Sequence, residues 1–288
     1  MLLGDLRTLD WKMGPQEVGG RLSGCYAATH GSYDLGNPQV YTDFIRVDPS
    51  QSAEGNQAKG TAIFAVLGNK GASIELKGKS TILSPGDVFL VHEDYKIRSV
   101  GGCHPPNNDS ETAFLVRYAS EEKGDKGIES FGDTIIDAVR LRKLSWMKNP
   151  NDYFKTQDGV LFGYGKTKVP GFMLGVDGIG VDFYWVDPIF EEHLHESGVE
   201  NCVCMSGGIG VLETRESLAK DKKAAEISPG TPFRVDANML HRISCTDELN
   251  PIFLFTVSNK APGDYHSFEL DGLVHIGALS LRPVPDHD

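Results

Sequence analysis

Apolar residues in this chain fall in short blocks separated by glycine, proline and small polar residues. Thr61–Leu67, Val88–His92, Ala113–Tyr118, Gly180–Val186, Glu200–Met205 and Ile252–Val257 are rich in β-branched and aromatic side chains. Runs of this length and composition, bounded by turn formers, predict β-strands. One segment departs from the pattern. Asp133–Leu144 (DTIIDAVRLRKL) carries apolar residues at near-helical spacing and predicts a short helix, with Gly124–Gly127 before it and Asn149-Pro150-Asn151 after it read as loops. The expected protein is therefore mainly β, with a helix between two blocks of strands.

The two blocks resemble each other. Gly68 and Gly71 match Gly207 and Gly210 at a constant offset of 139, and Ser84-Pro85-Gly86 matches Ser228-Pro229-Gly230 at an offset of 144. The five extra residues of the second copy fall in the charged stretch around Arg215 to Lys223, read as an exposed hairpin loop. Self-similarity of this kind indicates a duplicated unit. It divides the chain into a first barrel over 1–120, a linker with the helix over 121–152, and a second barrel with a tail over 153–288.

Candidate chemistry is concentrated in the second copy, in EEHLHESGVENCVCMSGGIG and ISPGTPFRVDANMLHRI. His193 and His195 are two apart, so on a strand both imidazoles face one side. Glu200 follows a turn at Ser197-Gly198, and His241 follows Pro229-Gly230 and a further short strand. Three imidazoles and one carboxylate suit a single divalent transition metal. By the offsets above, Glu54, Asn56, Thr61 and Ile97 stand in the first copy at the places of His193, His195, Glu200 and His241. With no imidazole among them, the first barrel is expected to hold no metal and to act as a structural or dimerising half.

This arrangement resembles the cupin superfamily. Its first motif is matched by His193, His195, Glu200 and Gly207, with four residues between His195 and Glu200 and six between Glu200 and Gly207; its second motif is matched by Pro229, Gly230 and His241. The resemblance implies two tandem jelly-roll barrels of the double-stranded β-helix type, one divalent metal in the C-terminal barrel, and pairing of two chains into a homodimer through barrel edges. Iron(II) is favoured, with manganese, nickel or zinc as alternatives. It leaves the reaction open, because a fold does not specify chemistry. The leading expectation is an iron-dependent oxygenase that binds a small chelating substrate beside dioxygen, as in ring-cleaving dioxygenases. The alternatives are a non-redox isomerase or lyase of a keto sugar or keto acid, which resembles the keto-uronate isomerases, and a non-catalytic small-ligand binder.

Further pocket candidates follow from strand parity. Glu191 shares the parity of the paired histidines and is a candidate general base or support for a ligand. Cys202 shares that of Glu200 and is read either as reactive or as a small buried residue. Met239 shares that of His241 and lines the pocket or packs the core. Arg234 and Arg242 are candidates for binding a substrate carboxylate or are solvent-exposed. Tyr184 lies on a preceding strand whose inward face the sequence leaves open. His104 and the tail residues His266, His275 and His287 are read as loop residues.

Composition narrows the function classes. A net charge of −12 on 288 residues argues against a nucleic-acid surface, which needs clustered basic residues. No apolar run is long enough to span a bilayer, and Met1-Leu2-Leu3 is followed at once by Gly-Asp-Leu-Arg rather than by a secretory pattern. Five cysteines, with Cys202 and Cys204 too close on one strand to pair, fit reduced thiols and a cytoplasmic protein.

Overall fold

The computed structural model describes residues 6–14, 20–56, 60–68, 70–100, 112–122, 135–144, 153–155, 161–167, 169, 171–246, 250–261, 264 and 266–267. The loops expected at Gly124–Gly127 and Asn149–Asn151, and the residues Cys103, His104, His275 and His287, lie outside them.

Strands dominate, as the apolar blocks predict. The first half contains β1 (Lys12–Met13), β2 (Arg21–Ser23), β3 (Tyr26–Ala28), β4 (Tyr41–Val47), β5 (Ser52–Asn56) and β6 (Thr61–Leu67). It continues with β7 (Ala72–Leu76), β8 (Lys79–Leu83), β9 (Val88–Val91), β10 (Tyr95–Ser99), β11 (Ala113–Ser120) and β12 (Ile135–Ile136). These form two antiparallel sheets of order β1-β3-β4-β11-β6-β9-β12 and β2-β5-β10-β7-β8. The expected helix is shorter than its apolar periodicity suggests. Ile135 and Ile136 extend as β12 along β9, and α1 spans Ala138–Lys143 with the Asp137 carboxylate capping the Arg140 amide.

The second half repeats the plan with β13 (Tyr153–Lys155), β14 (Leu161–Thr167), β15 (Gly180–Val186), β16 (Ile189–Leu194), β17 (Glu200–Ser206) and β18 (Gly210–Arg215). It ends with β19 (Lys223–Ile227), β20 (Pro232–Val235), β21 (Leu240–Cys245), β22 (Ile252–Ser258) and β23 (His266–Ser267). The sheet orders are β13-β14-β15-β22-β17-β20 and β19-β18-β21-β16-β23. His266, read above as a tail residue, therefore belongs to a strand that pairs with His193 and Leu194.

Three apolar clusters hold this together. Ala62, Phe64, Val66, Leu115 and Ile97 fill the first barrel, while Tyr184, Phe190, Leu212, Phe233, Ile243 and Leu254 fill the second. A third cluster, with Ile63, Leu67, Tyr118, Phe183, Val203 and Phe255, lies between the barrels and draws on the two larger sheets. Strands of those sheets are covered on both faces, and every residue of β6 and β22 is buried. That is why these strands read as continuous apolar runs rather than as alternating patterns.

The two proline-glycine turns bring the barrels into backbone contact. A Cβ on Gly86 would lie 1.7 Å from the Met205 carbonyl oxygen, and one on Gly230 would lie 2.5 Å from that of Gly68. Both glycines have positive φ, at 89° and 82°, so they meet a conformational and a steric need together. The Gly68 amide also donates to the Gly230 carbonyl at 3.1 Å.

Candidate metal centre

The strands carrying the candidate ligands are not simple repeats of the first barrel. In β16, Ile189 pairs with Ser244 and Phe190 with Ile243, but after an irregularity His193 pairs with His241. An unbroken register would have set His193 opposite Leu240. The irregularity places His193 and His241 directly opposite on one face, the use of a bulge to re-aim a side chain. In β17, Glu200 stands opposite Val235 on one side and Ser258 on the other, and the pairing with β22 has a second irregularity between Cys204 and Ser206.

These shifts correct the sequence comparison. In the first barrel Ile97 pairs with Ala53, Tyr95 with Gly55, and Ala62 with Val91. The spatial counterparts of His193, His195, Glu200 and His241 are therefore Ala53, Gly55, Ala62 and Ile97, one residue away from Glu54, Asn56 and Thr61 on three of the four strand positions. Glu54 instead forms an exposed ion pair with Lys96. Tyr95 fills the space: a Cβ on Gly55 would fall 2.1 Å from its ring. Arg117, fully buried, pairs with Asp43 at 2.6 Å inside the same barrel. No donor stands at any of the four positions.

In the second barrel the ring nitrogens of His193, His195 and His241 come within 4.8 Å of one another, all buried. Each Nδ1 donates to a backbone carbonyl: His193 to Glu191 at 2.8 Å, His195 to Asp264 at 2.5 Å and His241 to Met239 at 3.0 Å. A carbonyl can only accept, so in the neutral rings each Nε2 carries the lone pair. Burial, then the neighbouring imidazoles, hold His193 well below the usual histidine range. Burial and His195 push His241 down to about 3. Imidazoles with carbonyl-anchored Nδ1 atoms, which in His193 and His241 burial also holds unprotonated, are the form that ligates a metal. The donor set thus fits a divalent ion.

Glu200 adds the carboxylate. Its Oε2 lies 3.4 Å from His195 Nε2 and 4.0 Å from His241 Nε2, while Oε1 is ion-paired with Lys260. Burial alone would raise its pKa. The Lys260 ammonium, followed by His195 and His241, outweighs that and holds the group well below the usual carboxylate range.

The structure distributes the other candidates unevenly. Tyr184 is buried in the second barrel with its ring centroid 5.9 Å from Lys260 Nζ. Phe190 stacks on His193 with centroids 4.2 Å apart. The irregularity in β16 interrupts the parity from which Glu191 was linked to the histidines, and what Glu191 supplies to His193 is its carbonyl. Cys202 is buried in the core cluster, accepts from Thr256 Oγ1 at 3.4 Å, and has its thiol pKa pushed up by burial and by Glu200; a thiol held protonated is a poor nucleophile. Met239 is half-buried and supplies the carbonyl that anchors His241. Arg242 lies on the face of β21 opposite His241, ion-paired with its cross-strand partner Glu213, and is not in the pocket. Arg234 is held by Asp236 at 2.6 Å and by the Asp34 carbonyl.

A cavity of about 560 Å³ is lined by Leu212, Thr214, Ala225, Asp236 and Met239 among others, and by none of the candidate ligands themselves. Thr214 is the Cα partner of His241, and Met239 supplies the carbonyl that anchors the His241 ring, so two of the cavity's lining residues adjoin that ligand.

Sequence reasoning missed Lys260, Asn259 and Asp264. They follow β22 and wrap the turn after His195. Asp264 accepts from the Glu196 and Ser197 amides at 2.8 and 2.7 Å, and Asn259 accepts from Val199 and donates to the Leu35 carbonyl in the first half. Tyr33 also bridges the halves, donating to the Cys202 carbonyl at 3.0 Å while its own carbonyl accepts from Asn201. The signal for Lys260 is its place two residues beyond Ser258, the partner of Glu200, and it becomes visible only once that register is known.

No protein-family profile matches the chain, and no curated protein does. Among solved structures it is similar to vicilin from Solanum lycopersicum, with 12% identity over 92% of this chain and 86% of that one and a TM-score of 0.43. It is also similar to a cupin 2 conserved barrel domain protein from Leptotrichia buccalis, with 12% identity over 77% and 84% and a TM-score of 0.47. A mutant of the Bacillus subtilis oxalate decarboxylase OxdC matches at 13% identity over 93% and 79%, with a TM-score of 0.45. Strand order and internal repeat give the chain two tandem barrels of paired antiparallel sheets, and its candidate metal ligands, among the described residues, gather in the C-terminal barrel.

Proposed function

We propose that the chain is a metal-dependent enzyme, an iron(II)-dependent oxygenase acting on a small oxygenated substrate that chelates the ion. His193, His195, His241 and Glu200 would hold the metal. The observation that carries this reading is the convergence of three buried imidazoles whose Nδ1 atoms are all committed to carbonyls. A bound divalent ion would supply Lewis acidity and, if redox-active, access to dioxygen.

The chain's own residues supply the rest. The three carbonyls fix the imidazole planes, so no reorientation is needed on binding. Lys260 restrains one oxygen of Glu200 and leaves the other toward the histidines. Phe190, which stacks on His193, packs with Leu212 and Ile243 in the apolar cluster of the second barrel, and apolar surroundings strengthen electrostatic contacts at the site. Lys260 also favours the second reading, a non-redox isomerase or lyase, because an ammonium beside the site can stabilise developing negative charge on an enolate oxygen.

Elemental analysis of anaerobically purified protein, with the His193→Ala, His241→Ala double variant as control, tests the proposal. About one iron per chain, lost in the variant, supports the oxygenase. Manganese, nickel or zinc lost in the variant moves the assignment to isomerase or lyase, and absence of site-dependent metal after reconstitution leaves a ligand-binding protein. We also propose a cytoplasmic homodimer formed through open edges such as β8, where Ile82 is 72% exposed. Sedimentation equilibrium that finds only monomer would overturn the dimer. Among the described residues no helix is long and apolar enough to cross a membrane.

A further inference from the structure

We infer that Lys260 is a substrate-binding residue and that the substrate class is a small anionic chelate, a 2-oxo or 2-hydroxy carboxylate. The inference rests on the metal centre proposed above and narrows what that centre accepts.

Lys260 brings a full positive charge into the chamber. Its side chain is 15% exposed, its ammonium is ion-paired with Glu200, and Nζ lies 3.5 Å from His195 Nε2 and 5.9 Å from the Tyr184 ring centroid. Taking an ammonium out of water is costly unless something in the site uses it. Glu200 alone accounts for one of its three N–H donors. The donor directed at His195 Nε2 must turn elsewhere when that lone pair holds an ion, and the nearest acceptor is then whatever ligand sits beside the ion.

Charge balance points the same way. The three imidazole ligands are neutral, and Glu200 and Lys260 cancel. A divalent ion therefore brings the centre to a charge of about +2. A neutral diketone would leave the excess charge in a partly closed, low-dielectric space. A chelating carboxylate reduces it and sets one oxygen on the ion and the other within reach of the ammonium. Lys260, a compact point charge rather than a planar fork, suits a single oxygen shared in this way.

The test compares two probes of nearly identical shape, pyruvate and butane-2,3-dione, which differ by a carboxylate oxygen in place of a methyl group. Both are titrated calorimetrically under anaerobic conditions into metal-loaded wild type, K260M and K260Q, and metal content is measured on the same samples. The expected result is pyruvate binding weakened about thirtyfold in both variants, the size of one charge-assisted hydrogen bond, with dione binding and metal content unchanged. Equal weakening of both probes, or of neither, overturns the inference. So does loss of metal in the variants, which would make Lys260 a positioning residue for Glu200. Metal-free wild type that still binds pyruvate, with binding lost in K260M, would overturn the metal centre and leave Lys260 as the anion site. K260Q keeps a polar side chain, so the comparison survives if K260M does not fold.

Discussion

The Glu200–Lys260 pair is the most exacting test of the site's electrostatics. Both side chains are largely buried, at 7% and 15% exposure, so neither charge is well solvated once its partner is gone. Two unit charges at a contact distance of about 3 Å interact by roughly 5 kcal/mol at an effective dielectric of about 20. Desolvation offsets part of that, and breaking such a pair by removing one partner typically costs about 3–5 kcal/mol. E200Q retains an amide oxygen for the ammonium, so its expected cost is smaller, about 2 kcal/mol; K260M strands the carboxylate and is expected to cost about 3 kcal/mol. The double variant E200Q/K260M removes both charges and is expected to cost only about 2 kcal/mol in total, giving a coupling of about 3 kcal/mol. Urea denaturation of chelator-treated protein at pH 7 measures all three. Glu200 is ionised there, because Lys260 and the imidazoles hold its pKa well below the usual range despite its burial. A coupling below about 0.5 kcal/mol would refute the buried-pair argument.

Three further outcomes follow from the same geometry. His195→Ala is expected to abolish metal binding and activity while leaving the far-ultraviolet circular dichroism unchanged, since His195 serves the site rather than the apolar clusters; full metal content in that variant would reject the ligand assignment. Gly86→Ala would place a methyl group 1.7 Å from the Met205 carbonyl at φ 89° and is expected to cost more than about 3 kcal/mol, read as a lowered melting temperature. Burial raises the Asp87 carboxyl to about 6 from an ordinary value of 3.8. The folded state therefore disfavours its ionisation, and stability is lost as pH rises from about 4 through 6. Asp87→Asn, which keeps an acceptor for the Ser84 amide, is expected to raise the melting temperature at pH 8 and leave it nearly unchanged at pH 3; the reverse order would show the sign to be wrong.

The sequence by itself determined the mainly β class, the duplication, the candidate ligands and the barrel that carries them. Each of these depends on local spacing: His193 and His195 share a face because strands have a period of two, and Pro229-Gly230 announces the strand before His241. Tertiary structure decided the rest. Irregularities in β16 and β17 shift the pairing by one residue, so the first-barrel counterparts are Ala53, Gly55 and Ala62 rather than Glu54, Asn56 and Thr61. A bulge is set by how strands pack against their neighbours, which no offset between two segments of sequence encodes. Arg242 points away from the site for the ordinary reason of strand parity, but Lys260 enters it because β22 pairs with β17 across a long sequence separation. Support from Tyr33 reaches the Glu200 strand across an even longer one. Local periodicity specifies which residues share a face; only the folded register specifies which faces meet.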